Sequence, residues 1–267
     1  MAQPVAMVTQ RPQVSTGTQH AAGTPVADCV PSWPAPALFE LRNYATRPGR
    51  RDELVDMFEQ HFLDAYQAAG ARVTGTFTHA NDPHRWIWIR AFDDNRSRGA
   101  ALDGFYSSAE WLARRAAANE TIADISDALL MRPRFGALAA LRAPGHDASR
   151  PASIVECLRW FPRAVEEARL ADLVLAGVVP LLEQSGAEPA AVLETARLPN
   201  TYPRLPLRED AAVVVLTRHA DPAAYAAHLA ARERSVDWRR AIDGIGSLTD
   251  RPFETWPLRP TARSALR

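Results

Sequence analysis

Lysine is absent from this 267-residue sequence, so every strongly basic side chain is an arginine. The 31 basic residues are balanced by 31 acidic ones, and the formal net charge is zero. Proteins that bind nucleic acids or anionic membranes usually carry a basic excess. We therefore expect neither a nucleic-acid partner nor a membrane partner.

Cysteine and long apolar runs are also scarce. Cys29 lies in a Pro-rich N-terminal stretch and Cys157 in a strand-like segment, so a disulfide framework is not expected. No apolar run approaches the roughly 18 residues that span a bilayer. No apolar core of about 7–15 residues follows a charged start, as a secretory signal peptide would require. These features favour a reduced, cytoplasmic setting.

The sequence lacks the common catalytic motifs as well. It has no cluster of metal-ligating residues at a usable spacing. It has no Gly-rich phosphate loop and no serine in a G-x-S-x-G turn. We therefore predict no metal site and no cofactor.

The chain is predicted to contain a leader and two folded domains. Residues 1–36 are rich in Ala, Pro, Gln, Thr and Val without apolar periodicity, which predicts a disordered leader. The two domains are predicted over 37–142 and 153–262. Pro144-Gly145 and Pro151 mark a linker over 143–152.

Each domain shows the same order of predicted elements, β-α-β-β-α-β, which is the ferredoxin-like unit. In the first domain the strands are predicted at 38–45, 72–79, 85–92 and about 127–133, with helices over 51–69 and 96–120. In the second domain the strands are predicted at 153–161, 192–198, 212–220 and 253–260, with helices over 164–185 and 221–242. The fold class is therefore α+β with two tandem units.

Constant offsets between landmarks support the repeat. The strand around Glu40 returns around Glu156, and Gly70 returns as Gly186, both at an offset of 116. Arg90 and Arg218 are offset by 128, as are Asp93 and Asp221, whereas Trp111 and Trp238 are offset by 127. The second copy therefore gained about 12 residues between its second and third strands, where a Pro-rich stretch covers 198–206.

Several of these landmarks resemble the NIPSNAP family of the dimeric α/β-barrel superfamily. They are Glu40-Leu41-Arg42-Asn43-Tyr44, Arg47-Pro48-Gly49-Arg50, Trp88-Ile89-Arg90-Ala91-Phe92-Asp93-Asp94, Glu110-Trp111 and Leu130-Met131-Arg132-Pro133. The resemblance covers about 37–142 well and 152–262 weakly, since Leu158 and Trp160 replace the first strand's Arg and Tyr. It implies that two ferredoxin-like sheets pack into one barrel. Relatives bind haem, oxidise polyketides, isomerise lactones or have no settled activity.

Alternation along the strands gives the candidate site. Phe39, Leu41, Ile87 and Ile89 fall on one face, and the polar and aromatic side chains fall on the other. If helices cover the first face, the second lines the barrel interior. We predict catalytic roles for Glu40, Arg42, Tyr44 and Arg90 and substrate binding by Trp86, Trp88 and His79. The alternative is a structural Glu40–Arg42 network that fixes the packing of the sheets.

The expected function is binding of a small, largely apolar, oxygenated or carboxylated metabolite in the barrel. By analogy the chain would act on it as a cofactor-free oxygenase, an isomerase or a lyase. One alternative is a non-catalytic NIPSNAP-type binding or assembly module. Another is a haem-binding barrel, with His228 as the axial ligand. Exposed sheet edges and the loop at 198–209 would leave room for a homodimer.

Overall fold

A computed structural model describes residues 38–136, 138 and 141–267. The predicted leader, and Cys29 within it, lie outside the described residues. Residues 143–152, the predicted linker, form neither helix nor strand. The two ferredoxin-like units lie on either side of this segment.

The first unit contains four strands and two helical segments in the predicted order. Its strands are β1 (Leu38–Thr46), β2 (Arg72–His79), β3 (Arg85–Phe92) and β4 (Ile122–Gly136). Its helices are α1 (Arg51–Met57), α2 (Leu63–Ala68), α3 (Asn95–Tyr106) and α4 (Ala109–Thr121). A π-helical turn over Phe58–Phe62 joins α1 to α2. Asp94 and Ser108 cap the N-termini of α3 and α4 through their side-chain oxygens.

The second unit repeats this arrangement. Its strands are β5 (Ile154–Trp160), β6 (Glu188–Thr195), β7 (Val213–His219) and β8 (Glu254–Pro260). Its helices are α5 (Glu167–Leu173), α6 (Val179–Gln184), α7 (Pro222–Arg234) and α8 (Val236–Gly246). β6 begins four residues earlier than predicted, because the helix already ends at Gln184 and Gly186 follows with a positive φ of 95°.

The repeat extends to local irregularities. A second π-helical turn covers Val174–Val178, which is the first turn shifted by the predicted offset of 116. Past the insertion the structural offset is 127, since the capping Asp94 corresponds to Asp221 and Ser108 to Ser235. The offset of 128 predicted from Arg90 and Asp93 is wrong by one residue, and the offset of 127 predicted from Trp111 and Trp238 matches the structure. The residue that corresponds to Arg90 is therefore Thr217, not Arg218.

All eight strands form one closed antiparallel barrel in the order β1-β3-β2-β8-β5-β7-β6-β4. Each unit contributes four neighbouring strands, and the seams between the units are β2 with β8 and β4 with β6. The predicted fold, two tandem ferredoxin-like units in one intrachain barrel, is confirmed. The prediction of exposed sheet edges is wrong, because closure pairs every barrel strand on both sides.

The barrel interior is apolar and is shared by both units. Side chains from all eight strands contribute to it, among them Phe39, Leu41, Phe77, Ile87, Ile89, Met131, Cys157, Leu193, Leu216 and Leu258. Two further clusters lie on the opposite sheet faces, each packed under the helices of its own unit. The expected assignment of faces is therefore reversed: Phe39 and Leu41 point into the barrel, and the Glu40 face packs against helices.

The C-terminal residues pack against the first unit. Backbone N–H groups of Thr261 and Leu266 donate to the carbonyls of Thr76 and Thr74. Arg263 Nη2 donates to Asp64 Oδ1 over 2.7 Å. Among the described residues, no helix is long and apolar enough to cross a membrane.

Candidate functional site

Glu40 lies at the centre of a buried ionic network between the first sheet and its helices. Arg42 Nη1 and Arg90 Nε donate to Glu40 Oε2 over 3.0 and 2.9 Å. Arg98, on α3, donates to Glu40 Oε1. All four side chains are fully buried. One carboxylate thus faces three guanidinium groups.

These contacts follow from strand register and from one helix position. Glu40 and Arg90 lie directly opposite each other on β1 and β3, and Arg42 follows two residues along β1 on the same face. Arg98 was not identified from the sequence. It is the only helical member, and its position on the first turn of α3 brings it over the sheet.

The network fixes the charge state of its carboxylate. Burial by itself raises the pKa of Glu40, but the charges of Arg90, Arg42 and Arg98 outweigh it and lower the pKa from about 4.5 to about 2. Glu40 is therefore ionised at neutral pH and is not a proton carrier there. The predicted catalytic roles of Glu40, Arg42 and Arg90 in the barrel interior are wrong in location, because the three side chains lie outside the barrel.

A cavity of about 580 Å³ adjoins this network. Its wall is largely aromatic, formed by Tyr44, Phe58, Phe62, Tyr66, Trp86, Trp88, Phe105, Tyr106, Trp111 and Tyr202. The Trp86 and Trp88 rings stack at 5.4 Å with an interplanar angle of 11°. Arg90 covers the other side of this wall, 4.9 Å from the Trp88 ring centroid. The volume lies within the range of sites for small organic molecules.

Tyrosine hydroxyls supply polar contacts on this aromatic wall. Tyr44 Oη accepts from Arg42 Nε over 3.2 Å, and Tyr106 Oη lies 3.3 Å from Tyr66 Oη. Burial raises the pKa of Tyr106 to about 12, so its phenol stays protonated. Within the described chain the Tyr44 hydroxyl has no acceptor for its own proton. It can therefore donate to an oxygen of a bound molecule.

Polar residues lie at the edge of the same cavity. Arg115 on α4 and Arg204 in the 198–206 insertion carry exposed guanidinium groups, and Asp124 carries an exposed carboxylate. Two arginines beside an aromatic wall favour a ligand with partial negative charge.

The second unit's insertion covers part of the first unit's cavity. Tyr202 is 6% exposed and stacks on Tyr106 with centroids 5.5 Å apart. Arg98 Nη1 donates to Thr201 Oγ1 over 3.0 Å. The insertion was visible in the sequence as a change of offset. Its position over the first unit was not.

The structure brings together most of the predicted site residues, but not all of them. Tyr44, Trp86 and Trp88 line the cavity, and Glu40, Arg42 and Arg90 lie behind it. His79 does not join them. It follows Phe77 on the barrel-facing side of β2, at the end of the barrel, with its ring 6.4 Å from Trp256. His79 therefore does not line the cavity beside Trp86 and Trp88, and its role in substrate binding stays a prediction.

His228 is also placed differently from the haem hypothesis. It is 1% exposed, and its Nε2 lies 3.3 Å from Glu156 Oε2 between the second sheet and α7. A haem ligand needs open space on the metal side of its imidazole. This enclosed position does not fit an axial ligand for haem.

The barrel is closed, its helices lie on the outside, and both ferredoxin-like units belong to the same chain. This architecture defines the fold class as a dimeric α/β barrel. No protein-family model matches the sequence, and no curated protein matches it. Solved structures of similar fold do exist. A candidate monooxygenase from Fusobacterium nucleatum has a TM-score of 0.56 at 7% identity, over 87% of this chain and 97% of that chain. An anthrone oxidase-like protein has a TM-score of 0.59 at 12% identity, over 84% of this chain and 91% of that chain.

NIPSNAP proteins are also among the similar structures, as the sequence resemblance predicted. A NIPSNAP domain protein from Burkholderia xenovorans has 19% identity and a TM-score of 0.32. It covers 35% of this chain and 90% of its own length. The two structures with TM-scores of 0.56 and 0.59 support the fold of the chain and leave its reaction to be argued from the site.

Proposed function

We propose that the cavity of the first unit binds a planar, largely apolar metabolite that carries a phenol, ketone or enolate oxygen. The observation that carries this proposal is the aromatic wall with the Tyr44 hydroxyl directed by Arg42. Stacking on Trp86 and Trp88 would hold the ring system. The Tyr44 proton and the arginines at the edge would bind the oxygen.

The proposed reaction is oxidation by dioxygen without a cofactor. The carbon acid of the substrate would lose a proton to the exposed Asp124 carboxylate at the cavity edge or to water. The resulting enolate would be stabilised by Tyr44 and by Arg115 or Arg204. The electron-rich enolate could then reduce O₂ directly. The names of the two neighbours of similar fold, a candidate monooxygenase and an anthrone oxidase-like protein, support this reaction type. An isomerase or lyase would use the same enolate without O₂.

Anthrone is a suitable probe because it is a tricyclic enolisable ketone of the required shape. Its oxidation balances as anthrone plus O₂ giving anthraquinone plus water. We expect anthrone binding to quench the tryptophan fluorescence of the full chain. We also expect one O₂ to be consumed for each anthraquinone formed.

The matched variant is Tyr44→Phe, which keeps the ring and removes the hydroxyl. We expect kcat/KM to fall at least about tenfold, which corresponds to about 1.4 kcal/mol of transition-state stabilisation. Phe135→Leu, an exposed aromatic position outside the cavity, serves as the control and should leave turnover unchanged.

A non-catalytic binding module remains the second candidate, because the ionised Glu40 and its arginines do not line the cavity. If both anthrone and a naphthol bind and neither causes O₂ uptake, that candidate is favoured. If neither anthrone nor the naphthol quenches the tryptophan fluorescence of the wild type, the proposal itself is overturned.

A further inference from the structure

The second unit contains a buried cluster that differs sharply from the Glu40 network. Glu156 occupies the position of Glu40, shifted by 116. The positions that correspond to Arg42, Arg90 and Arg98 carry Leu158, Thr217 and Tyr225. These replacements remove all three guanidinium groups from around the carboxylate.

Two histidines enter the space instead. His219 ends β7 and His228 lies on α7, at the positions of Phe92 and Ala101 in the first unit. Both side chains and Glu156 are buried, with exposures of 3, 1 and 0%. One ligand atom from each residue lies within 4.8 Å of the other two.

Three acceptor atoms converge in this cluster. Glu156 Oε2, His219 Nδ1 and His228 Nε2 have no hydrogen-bond partner in the part of the chain that the structure describes. The 3.3 Å separation between Glu156 Oε2 and His228 Nε2 falls in the ion-pair range but is not aligned as a hydrogen bond. Buried acceptors that face one another are costly unless a cation lies between them.

The outer nitrogen of each imidazole is already engaged. His228 Nδ1 lies 3.0 Å from Ser185 Oγ and 3.3 Å from the Ser185 carbonyl. His219 Nε2 lies 3.1 Å from Thr217 Oγ1. A proton on each of these outer nitrogens leaves a lone pair on the inner one, which is the arrangement that metal-ligating histidines use.

We propose that Glu156, His219 and His228 bind a divalent transition-metal ion such as Zn²⁺ or Fe²⁺. Two imidazole nitrogens and one carboxylate oxygen form a ligand set that suits these ions and leaves a coordination position open. Ligands at about 2.1 Å from one ion lie about 3.0–3.4 Å apart at octahedral or tetrahedral angles. The 3.3 Å separation between Glu156 Oε2 and His228 Nε2 lies in this range, and a ligand atom of His219 lies within 4.8 Å of both residues' ligand atoms.

The neighbouring Arg232 guanidinium restricts how the Glu156 carboxylate would bind the metal ion. Arg232 Nη1 donates to Glu156 Oε1 over 2.8 Å. This oxygen is therefore occupied, and Oε2 is the one directed at the imidazoles. Glu156 would be a monodentate ligand, oriented by Arg232.

The test uses the full chain, stripped with a chelator and titrated with Co²⁺ as a spectroscopic probe. We expect about one equivalent to bind with visible ligand-field absorption, and Zn²⁺ to displace it and raise the Tm. Metal analysis of protein purified aerobically and anaerobically then distinguishes zinc from ferrous iron.

The matched variants are His219→Phe and His228→Ala, which introduce the residues of the first unit. Each should lower the Co²⁺ affinity more than tenfold and abolish the Zn²⁺ effect on Tm. Glu156→Gln provides an isosteric third variant if either histidine variant does not fold, as judged by near-ultraviolet circular dichroism. His61→Gln, on the first helical segment, is the control and should bind Co²⁺ like the wild type.

Equal Co²⁺ binding by the wild type and the His219→Phe variant would overturn the proposal. A wild-type Tm that does not respond to Zn²⁺ would do so too. The cluster would then be a buried His228–Glu156 ion pair that stabilises the second unit.

Discussion

Glu40 is the only acidic member of the buried ionic network between the first sheet and its helices. Its single negative charge is shared by three buried arginines, so the network keeps an excess of positive charge. That excess lies directly behind the wall formed by Tyr44 and Trp88. The predicted alternative, a structural Glu40–Arg42 network, matches this geometry.

Removing the carboxylate should therefore be much more costly than removing a surface charge. We expect Glu40→Gln to destabilise the protein by about 3–5 kcal/mol, because three buried guanidinium groups lose their counter-charge. Urea denaturation followed by circular dichroism measures this change. Glu120→Gln, an exposed position at the end of α4, should stay within about 0.5 kcal/mol of the wild type.

The pH dependence of this difference has a definite sign. Because the folded-state pKa of Glu40 is lowered to about 2, its stabilising contribution is present above about pH 4.5. It is lost as the pH falls toward 2. The gap in unfolding free energy between wild type and Glu40→Gln should narrow over this range. A gap that stays constant from pH 6 to pH 3 would contradict the assignment of the lowered pKa.

At the scale of elements, the alternation of β1 predicted two faces but not which face lies inside. Both faces of this strand are buried, one in the barrel and one under helices. Polarity alone therefore does not indicate the interior. The apolar face fills the barrel because a closed eight-stranded barrel has room only for packed side chains.

The strand limits and the repeat were predictable from local sequence patterns. The bounds of β2 and β3 match the sequence pattern residue for residue, since turn residues flank both strands. The Glu156 cluster was not predictable, because its members lie on three separate elements. Only the fold brings residues 156, 219 and 228 together.

At the scale of elements, we also predict an effect of the second unit's insertion on ligand release. Tyr202→Ala removes the ring that stacks on Tyr106 and should open the cavity. We expect anthrone to dissociate about ten times faster, measured by stopped-flow fluorescence, with a loss of about 2 kcal/mol in stability. Leu198→Ala, an exposed position in the same insertion, is the control. Unchanged dissociation from Tyr202→Ala would show that the insertion does not retain the ligand.

At the scale of the whole molecule, the two units share one interior. The seams β2–β8 and β4–β6 are continuous with the hydrogen bonding within each sheet. A ferredoxin-like unit alone would expose the apolar face that the other unit covers. We therefore infer that the units unfold together, although their sequences diverge and their helix-facing sites differ.

Leu258 provides the test of this cooperativity. It is fully buried in the barrel interior on β8, where it pairs with Val155 of its own unit and His79 of the first. Leu258→Ala should cost about 2–5 kcal/mol, because it leaves a cavity in a packed core. Leu112→Ala, at a position that is 49% exposed, should change little.

The decisive measurement is native-state hydrogen exchange in the Leu258→Ala variant. If the barrel is one cooperative unit, the slowest amides of β1 and β5 should lose protection by the same free energy. A loss confined to β5 and its neighbours would mean that the first unit keeps its fold without the shared interior. In that case the cavity beside Tyr44 would depend on the second unit only through the insertion that carries Tyr202.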